Sequence, residues 1–363
     1  MIRESDLIYL RASVELAEGG LYSCTPNPRV GCIIARDGLI LGRGWHVRAG
    51  EAHAEVNAMN DALSRGFSDL SGATVYVSLE PCAFHGRTPP CSEGLIRAKV
   101  ARVVAAMRDP HPEVLGRGFT ELRDAGIGVD VIELPEAGLL NAGYSKRMIS
   151  GRPLVRLKVA TSLDGRTAMA SGESQWITGV AARADGQYWR ARSCAIVTGI
   201  GTVLADDPRL TVRDEGFMVD GNIRQPVRVV LDTKLRTPPE AALLHADGEV
   251  LMVHGEGAEP RLAGVEHVAV GKTRVDLDGL LEKLAERGCN EVLVEAGATL
   301  LGSFIGARLW DELIVYLAPR FMGSEARPLA YLPLGTMDAV VDARISDCTQ
   351  LGDDLRIRLL PAD

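Results

Sequence analysis

The chain has 363 residues, of which 46% are hydrophobic and 24% charged, with a net charge of −8 and a pI near 5.5. This length favours two domains, and the composition is that of a globular protein. The acidic balance argues against nucleic acid as a partner, because nucleic-acid-binding proteins present a basic face. Without a membrane-length apolar run or a signal-peptide pattern, and with seven scattered cysteines, the sequence predicts a cytoplasmic protein with no membrane partner.

The first half alternates strand and helix patterns, which predicts an α/β layer with a mixed sheet. Leu7, Leu10 and Val14 follow helical spacing after a capping Ser5, and Asp37-Gly38 is typical of a hairpin turn. Strands are predicted at 29–36, 39–45, 73–79, 100–107 and 128–134, and helices at 51–64, 91–98 and 116–124.

A helix and linker after Pro135 place the domain boundary near residue 150, giving domains 1–150 and 151–363. The second half is also predicted to be α/β, with a polar loop at 171–178 between its first strand and first helix. Further strands are predicted at 152–161, 194–198, 227–232, 291–294 and 312–317, and helices at 181–192 and from 297 to 309.

One imidazole and two thiols in the first half predict a zinc site. His53-Ala54-Glu55 opens a predicted helix, Pro81-Cys82 ends a strand, and Cys91 opens another helix. Three such ligands leave the fourth position of a catalytic zinc for water, and a carboxylate beside the metal can carry protons. We therefore assign His53, Cys82 and Cys91 to the metal and Glu55 to catalysis. The pattern resembles the zinc-deaminase signature, although eight residues rather than two separate the cysteines.

Other interpretations of these residues remain open at this point. A closed structural site would use His46 or His85 as the fourth ligand, which would leave Glu55 unexplained. A deaminase of nucleic-acid bases would need a basic, aromatic-rich surface that the sequence does not indicate. The alternative that is not an enzyme is a binding or scaffold protein in which zinc only stabilises the fold.

Two predicted strands of the second half end in glycine turns. The strand at 194–198 is followed by Gly199-Ile200-Gly201, and the strand at 291–294 is followed by a turn that contains Gly297. The second turn opens directly into a helix, which is a natural place for a phosphate group. The dinucleotide-binding fingerprint is not matched, because Leu204 stands where its third glycine is required. From these residues alone we infer an α/β domain with a phosphate site.

The motifs T-P-N-P-R-V-G-C, H-A-E and E-P-C-A-F-H-G-R-T-P-P-C resemble the deaminase half of the bifunctional riboflavin-biosynthesis deaminase/reductase family. The resemblance implies a cytidine-deaminase-like fold and zinc-dependent conversion of 2,5-diamino-6-(5-phosphoribosylamino)pyrimidin-4-one to 5-amino-6-(5-phosphoribosylamino)uracil. Asn27 and His46 would position the base, and Arg87 would meet the phosphate. The family commonly has Cys-Ser-His where this chain has Cys82-Ala83-Phe84, which makes His85 the candidate for that substrate contact.

The motifs S-L-D-G-R, S-G-E-S-Q-W-I-T, V-L-A-D-D-P-x-L-T-V-R and V-E-A-G resemble the reductase half of the same family. This resemblance implies a dihydrofolate-reductase-like fold, NADPH as cofactor, reduction of ribosyl to ribityl, and a homodimer through this half. The implied substrate contacts are Ser174, Arg190, Leu210, Arg213 and Glu295. The implied NADPH contacts are Ala160, Trp176, Thr202, Asp206, Thr233, Gly297, Ala298 and Thr299. The alternative is another zinc base or nucleoside deaminase with a degenerate or accessory second domain.

Overall fold

The computed structural model describes residues 2–84 and 89–362. The chain divides into two compact units, Met1–Gly151 and Arg152–Asp363. Within the described ranges, no helix is long and apolar enough to cross a bilayer.

The first unit is built on a mixed sheet flanked by helices. Its strand order is β2-β1-β3-β4-β5, in which β1 runs antiparallel to β2 and β3, and β3, β4 and β5 run parallel. The strands are β1 (Gly31–Arg36), β2 (Leu39–Trp45), β3 (Thr74–Val77), β4 (Arg102–Ala105) and β5 (Gly128–Val131). The helices are α1 (Glu4–Ala17), α2 (Ala54–Ser64), α3 (Cys91–Arg97), α4 (Arg117–Asp124), α5 (Pro135–Leu140) and α6 (Ala142–Ser150).

Local signals predicted most of these elements, but not every helix start. The hairpin turn is confirmed, with φ of 53° at Asp37 and 80° at Gly38. The predicted cap at Ser5 is wrong, because α1 begins at Glu4 with Arg3 as its N-cap. Asp6, in the first turn, accepts a hydrogen bond from the Arg3 amide at 2.8 Å. Helix α2 begins at Ala54 rather than at residue 51, which makes His53 its N-cap.

Helix α2 lies directly against β2 because two glycines allow the backbones to touch. A Cβ at Gly44 would lie 2.4 Å from the Ala58 amide nitrogen, and one at Gly42 would lie 2.1 Å from the Ala58 carbonyl oxygen. Ala54, Ala58 and Ala62 form the buried face of the helix. This contact between small residues fixes the position of the first turn of α2.

The second unit is built on a larger mixed sheet with the strand order β11-β10-β9-β8-β12-β6-β13-β16-β15. The strands are β6 (Leu154–Ser162), β7 (Arg166–Ala168), β8 (Ala195–Gly199), β9 (Val227–Leu231), β10 (Val250–His254), β11 (Glu266–Ala269), β12 (Glu291–Glu295), β13 (Glu312–Ala318), β14 (Arg327–Pro328), β15 (Ala343–Leu351) and β16 (Asp354–Pro361). The helices are α7 (Val180–Arg192), α8 (Ile200–Asp206), α9 (Leu277–Glu286) and α10 (Ala298–Gly306).

The central strands β8, β12 and β6 are parallel neighbours, so their carboxyl ends meet at one edge of the sheet. Both glycine turns lie at this edge, and both open directly into helices, α8 after Gly199 and α10 after Gly297. The sequence predicted only the second of these two helix starts. It also gave no information after about residue 330, where the structure forms the antiparallel hairpin of β15 and β16.

Each unit has its own buried apolar cores. Two clusters in the first unit lie on opposite faces of its sheet, around Val75 and Val77 on one side and Tyr76 and Val104 on the other. The main cluster of the second unit packs α9 and α10 on one face of the larger sheet. The residues of each cluster come from one unit alone.

We expect Gly44→Ala to destabilise the first unit by about 1–3 kcal/mol, because the new methyl group must push α2 away from β2. Urea unfolding followed by circular dichroism measures this loss. The matched control is Gly138→Ala in helix α5, where a Cβ meets nothing within 4 Å and the variant should be equally or more stable. Equal stability of Gly44→Ala and the original chain would contradict the packing argument.

Candidate functional site

Three predicted metal ligands meet at the starts of two helices. The ligand atoms of His53, Cys82 and Cys91 all lie within 4.8 Å of one another, and theirs is the one such group among the residues that the structure describes. His53 Nδ1 lies 3.3 Å from the Cys91 sulfur and 3.5 Å from the Cys82 sulfur. In a tetrahedral zinc site the nitrogen and sulfur ligands are separated by about 3.6 Å, so the three residues fit zinc.

The two thiols differ in their surroundings. Hydrogen bonds from Cys91 and His53 lower the pKa of Cys82 to about 4, against the opposing effect of burial. Cys91 is the first residue of α3, and its own amide donates to the Cys82 sulfur at 3.4 Å. A thiolate at Cys82 is therefore already favoured by the protein, as metal binding requires.

Glu55 lies in the first turn of α2, two residues after His53, and its side chain is 3% exposed. It hydrogen-bonds to Cys91, and burial together with the charge of Cys82 raises the pKa of its carboxyl group. A carboxyl group with a raised pKa exchanges protons more readily near neutral pH. Glu55 thus adjoins the metal cluster, with the properties of a proton carrier.

Asn27 and His46 form a hydrogen-bonded pair beside the cluster. His46 Nδ1 lies 3.1 Å from the Ala52 carbonyl oxygen. Because a carbonyl oxygen can only accept a hydrogen bond, Nδ1 must carry the hydrogen atom. His46 Nε2 must then accept from the Asn27 amide nitrogen at 3.0 Å. Burial lowers the pKa of His46, which favours this neutral form. The pair leaves the Asn27 side-chain oxygen as an acceptor.

A buried carboxylate that the sequence analysis missed holds the loop next to Cys82. Glu80 accepts hydrogen bonds from the amides of Asp109, Gly116 and Phe119 at 3.3, 3.0 and 3.4 Å. Its place immediately before Pro81-Cys82 was a usable signal, because a charged residue at the end of a buried strand needs a partner. Glu80 fixes the segment that follows β4 against the strand end that delivers Cys82.

Phe84, at the position where the resemblance implies a histidine, stacks on His111. The two ring centroids are 5.8 Å apart and the planes are inclined by 20°. The predicted substrate contacts His85 and Arg87 lie outside the described residues. Their assignment therefore stays a prediction.

In the second unit, the predicted substrate residues Glu295 and Arg190 form a two-bond ion pair with separations of 2.6 and 2.9 Å. Lys158 lies 3.6 Å from the same carboxylate. Burial opposes ionisation of Glu295, but the charges of Arg190 and Lys158 outweigh it and lower its pKa to about 2. Lys158 was not predicted, although it precedes the predicted Ala160 by two residues on β6.

Most predicted NADPH residues lie at the carboxyl edge of the sheet. Ala160 lies near the end of β6 and pairs with Tyr316 of β13. Gly297 is the N-cap of α10, makes no side-chain cap and has open space beside its Cα. A helix start with uncapped amides suits a phosphate group, so this edge fits a phosphorylated nucleotide. The remaining residues here are Thr202 and Asp206 on α8, Ala298 and Thr299 in the first turn of α10, and Thr233 just after β9.

The predicted polar loop is confirmed, and three of its contacts reach distant segments or the following helix. Ser174 donates to Asp206 at 2.8 Å, and Arg320 donates to the Trp176 carbonyl oxygen at 3.0 Å. The Trp176 indole is 61% exposed, and the Arg183 guanidinium lies 4.6 Å from its ring centre. An exposed indole with a charged partner suits stacking against a planar ligand.

The last two predicted substrate residues follow α8. Leu210 is buried, with a φ of 52°. Arg213 is exposed, and its backbone amide donates to Gln187 of α7 at 2.8 Å. These residues flank Thr211, whose carbonyl oxygen accepts from Arg190 at 3.2 Å.

Comparisons with known proteins match both halves of the chain. A family model described as the RibD C-terminal domain matches residues 153–357. A second model, the cytidine and deoxycytidylate deaminase zinc-binding region, matches residues 3–107. Riboflavin biosynthesis protein RibD of Escherichia coli K12 is 44% identical over 371 residues, covering 98% of this chain and 100% of that protein.

The chain belongs to the RibD family.

Solved structures of the RibD family agree over the whole length. The structure of Acinetobacter baumannii RibD, form 1, has a TM-score of 0.92 at 44% identity and covers 99% of each chain. The diaminohydroxyphosphoribosylaminopyrimidine deaminase/5-amino-6-(5-phosphoribosylamino)uracil reductase of Thermotoga maritima has a TM-score of 0.88 at 30% identity and covers 98% of this chain and 99% of its own.

Membership of the RibD family confirms the predicted fold class, a cytidine-deaminase-like domain followed by a dihydrofolate-reductase-like domain. It also confirms the predicted activities. The chain is a bifunctional deaminase and reductase of riboflavin biosynthesis, with zinc in the first half and NADPH as cofactor of the second.

We expect Glu295→Gln to lower stability most above pH 4.5. The pKa of Glu295 falls from 4.5 to about 2 on folding, so its contribution is present above pH 4.5 and is lost as the pH falls toward 2. We expect a loss on the order of 3 kcal/mol at neutral pH. Urea unfolding of both proteins at about pH 7, 5, 4 and 3 measures the difference, with the exposed Glu325→Gln as control. A stability difference that stays constant down to about pH 3 would contradict the ion-pair argument.

Proposed function

We propose that the first unit deaminates 2,5-diamino-6-(5-phosphoribosylamino)pyrimidin-4-one at the cluster of His53, Cys82 and Cys91. The observation that carries this proposal is the placement of buried Glu55 beside three ligands that suit zinc with an open fourth position. When bound, zinc lowers the pKa of a bound water to about 7. A structural zinc site does not require a buried carboxylate beside the metal, and burying one costs free energy.

Glu55 moves the protons in this proposal. Its carboxylate takes a proton from the attacking water and passes it to the ring nitrogen. It then takes the second proton, from the hydroxyl group now on the ring carbon, and gives it to the amino group, which leaves as ammonia when the carbon–nitrogen bond breaks. Its raised pKa assists these transfers, because the carboxyl group holds a proton more firmly than an exposed glutamate does. The position of Glu55 in the first turn of α2 keeps it off the metal and close to the cluster.

Asn27 positions the base in this proposal. The His46 ring is fixed by the Ala52 carbonyl oxygen, and the Asn27 nitrogen is fixed by His46. The Asn27 oxygen is therefore directed to accept a hydrogen bond from an amino group. A diaminopyrimidinone supplies such donors along its edge.

The second unit then reduces the ribosyl group to ribityl with NADPH in this proposal. NADPH would supply the hydride, and the residues at the carboxyl edge of the sheet would hold it: the start of α10 would bind a phosphate group, and the exposed Trp176 would offer an aromatic face. Three residues contact the substrate: Ser174 in the loop before α7, Leu210 in the segment after α8, and Glu295 at the end of β12. The ionised Glu295 suits hydrogen-bond donors of the sugar.

Arg190 and Arg213 take different roles. Arg190 directs its donors at Glu295 and the Thr211 carbonyl oxygen, and so it positions Glu295 and the segment that follows α8. Arg213 has an exposed side chain in that segment, and we assign it to the substrate phosphate. Guanidinium groups bind phosphate through two parallel hydrogen bonds.

We also propose a homodimer through the second unit and action in the cytoplasm. Strand β15 ends the described sheet and presents a backbone edge, and Ile345 on this strand is 65% exposed. Met337, in the segment that leads into β15, is 85% exposed. An apolar surface beside a free strand edge is typical of an interface. Cell fractionation with a tagged chain tests the compartment, and a membrane-bound chain would contradict it.

We expect Glu55→Gln to lower ammonia release by a factor of about 10² to 10⁴, with zinc content and NADPH consumption unchanged. The amide keeps the size of the side chain but cannot carry the proton. Ammonia release on the diaminopyrimidinone phosphate, metal analysis, and NADPH oxidation on deaminated substrate are the three measurements. Cys82→Ser is the companion variant and should lose zinc as well. Full deamination by Glu55→Gln would contradict the assigned role.

We expect Ile345→Asp to convert the dimer into a monomer, because a charge at the centre of an apolar contact is costly to bury. Sedimentation velocity at micromolar concentration measures the change. Leu63→Asp in α2, a residue exposed by 62%, is the matched control and should stay dimeric. A monomeric original chain, or a dimer unaffected by Ile345→Asp, would contradict the proposed interface.

A further inference from the structure

The C-terminal hairpin of β15 and β16 makes a polar contact with the start of α7 through the buried Asp354. Asp354 is the first residue of β16, at the turn of the hairpin, and is 3% exposed. Its carboxylate accepts a hydrogen bond from the Gly179 amide at 2.6 Å. Gly179 is the N-cap of α7, so a carboxylate from a distant segment caps this helix.

The capped position lies at the end of the loop that carries Trp176. Thr178, immediately before Gly179, accepts a hydrogen bond from Arg183 at 2.6 Å through its carbonyl oxygen. The same Arg183 guanidinium stacks on the Trp176 indole. A chain of contacts therefore connects Asp354, through Gly179, Thr178 and Arg183, to the Trp176 indole.

Further contacts hold the hairpin against α7. Arg356 of β16 donates to Asp185 of α7 at 2.8 Å, and Tyr316 of the neighbouring β13 donates to the same carboxylate. A Cβ at Gly352, in the turn, would lie 3.7 Å from the Ala181 side chain. These contacts fix the position of the hairpin turn, and with it the position of the Asp354 carboxylate relative to Gly179.

We propose that Asp354 is a positioning residue of the reductase, which sets the Trp176 loop through Gly179. Two other contacts hold the start and middle of this loop, from Asp206 to Ser174 and from Arg320 to Trp176, and Asp354 holds its end. The inference rests on the proposed function in one respect, that Trp176 contacts NADPH. It assigns a role to the C-terminal hairpin, whose sequence carries no recognisable motif.

The test uses the full chain with three variants of the hairpin turn. Asp354→Ala removes the acceptor and should raise the KM for NADPH about tenfold, the size expected for losing one charge-assisted hydrogen bond, with kcat within about twofold. Asp354→Asn keeps an oxygen acceptor and the side-chain size, and should raise KM by no more than about threefold. Asp353→Ala alters the exposed neighbour in the same turn and should change nothing. Ammonia release reports on the folding of the other half of the chain and should be unchanged in all three.

A second readout is independent of NADPH and of activity. The emission of Trp176 in the free protein should shift to longer wavelength in Asp354→Ala, because the indole loses its stacked arginine. The chain has four tryptophans, so the shift must disappear when the same substitution is made in a Trp176→Phe background. An unchanged Trp176 emission together with an unchanged KM in Asp354→Ala overturns the proposal. If Asp354→Ala does not fold, a tenfold KM increase in Asp354→Asn overturns it instead, because an acceptor remains there.

Failure of the proposed function gives a different result. If Trp176→Ala leaves the KM for NADPH unchanged, the Trp176 indole does not contact the cofactor, and that part of the proposed function is wrong. The emission shift in Asp354→Ala still decides whether Asp354 positions the loop. The two conclusions therefore rest on different variants and different signals.

Discussion

The deaminase site depends on the direct contact between helix α2 and strand β2. Gly42 and Gly44 allow the two backbones to touch, and a helix seated this closely cannot slide or tilt without a steric clash. Its first turn therefore presents His53 and Glu55 at a fixed height above the sheet. The thiols of Cys82 and Cys91 come from another strand end and another helix start, so a small shift of α2 would separate the imidazole from both.

Much of the first site could be predicted because its signals are local. His53 and Glu55 are two residues apart at a helix start, and each cysteine follows a proline at the edge of an element, so spacing alone indicated metal chemistry. The strands and helices around them followed from periodicity and turn residues, with errors of a few residues at their ends. The second site was predicted through its family motifs, since single glycine turns and arginines are common in any α/β domain.

The rest could not be predicted, because it depends on contacts between residues far apart in the chain. Glu80 holds amides some 30 residues later, and Arg183 is recognisable only once α7 lies beside Trp176. Nothing in the local sequence indicates that Asp354 caps a helix 175 positions earlier. Buried carboxylates are evident in a sequence only as charges, and their partners are set by tertiary structure.

The separate cores of the two units determine which activity a destabilising substitution affects first. Each apolar cluster among the residues that the structure describes lies within one half, so a change in one core acts first on its own half. A destabilising change in the second unit would stop the pathway after deamination, and one in the first unit would stop it before. A cell with such an allele would accumulate a different metabolite in each case, and the accumulated compound would reveal which half is damaged.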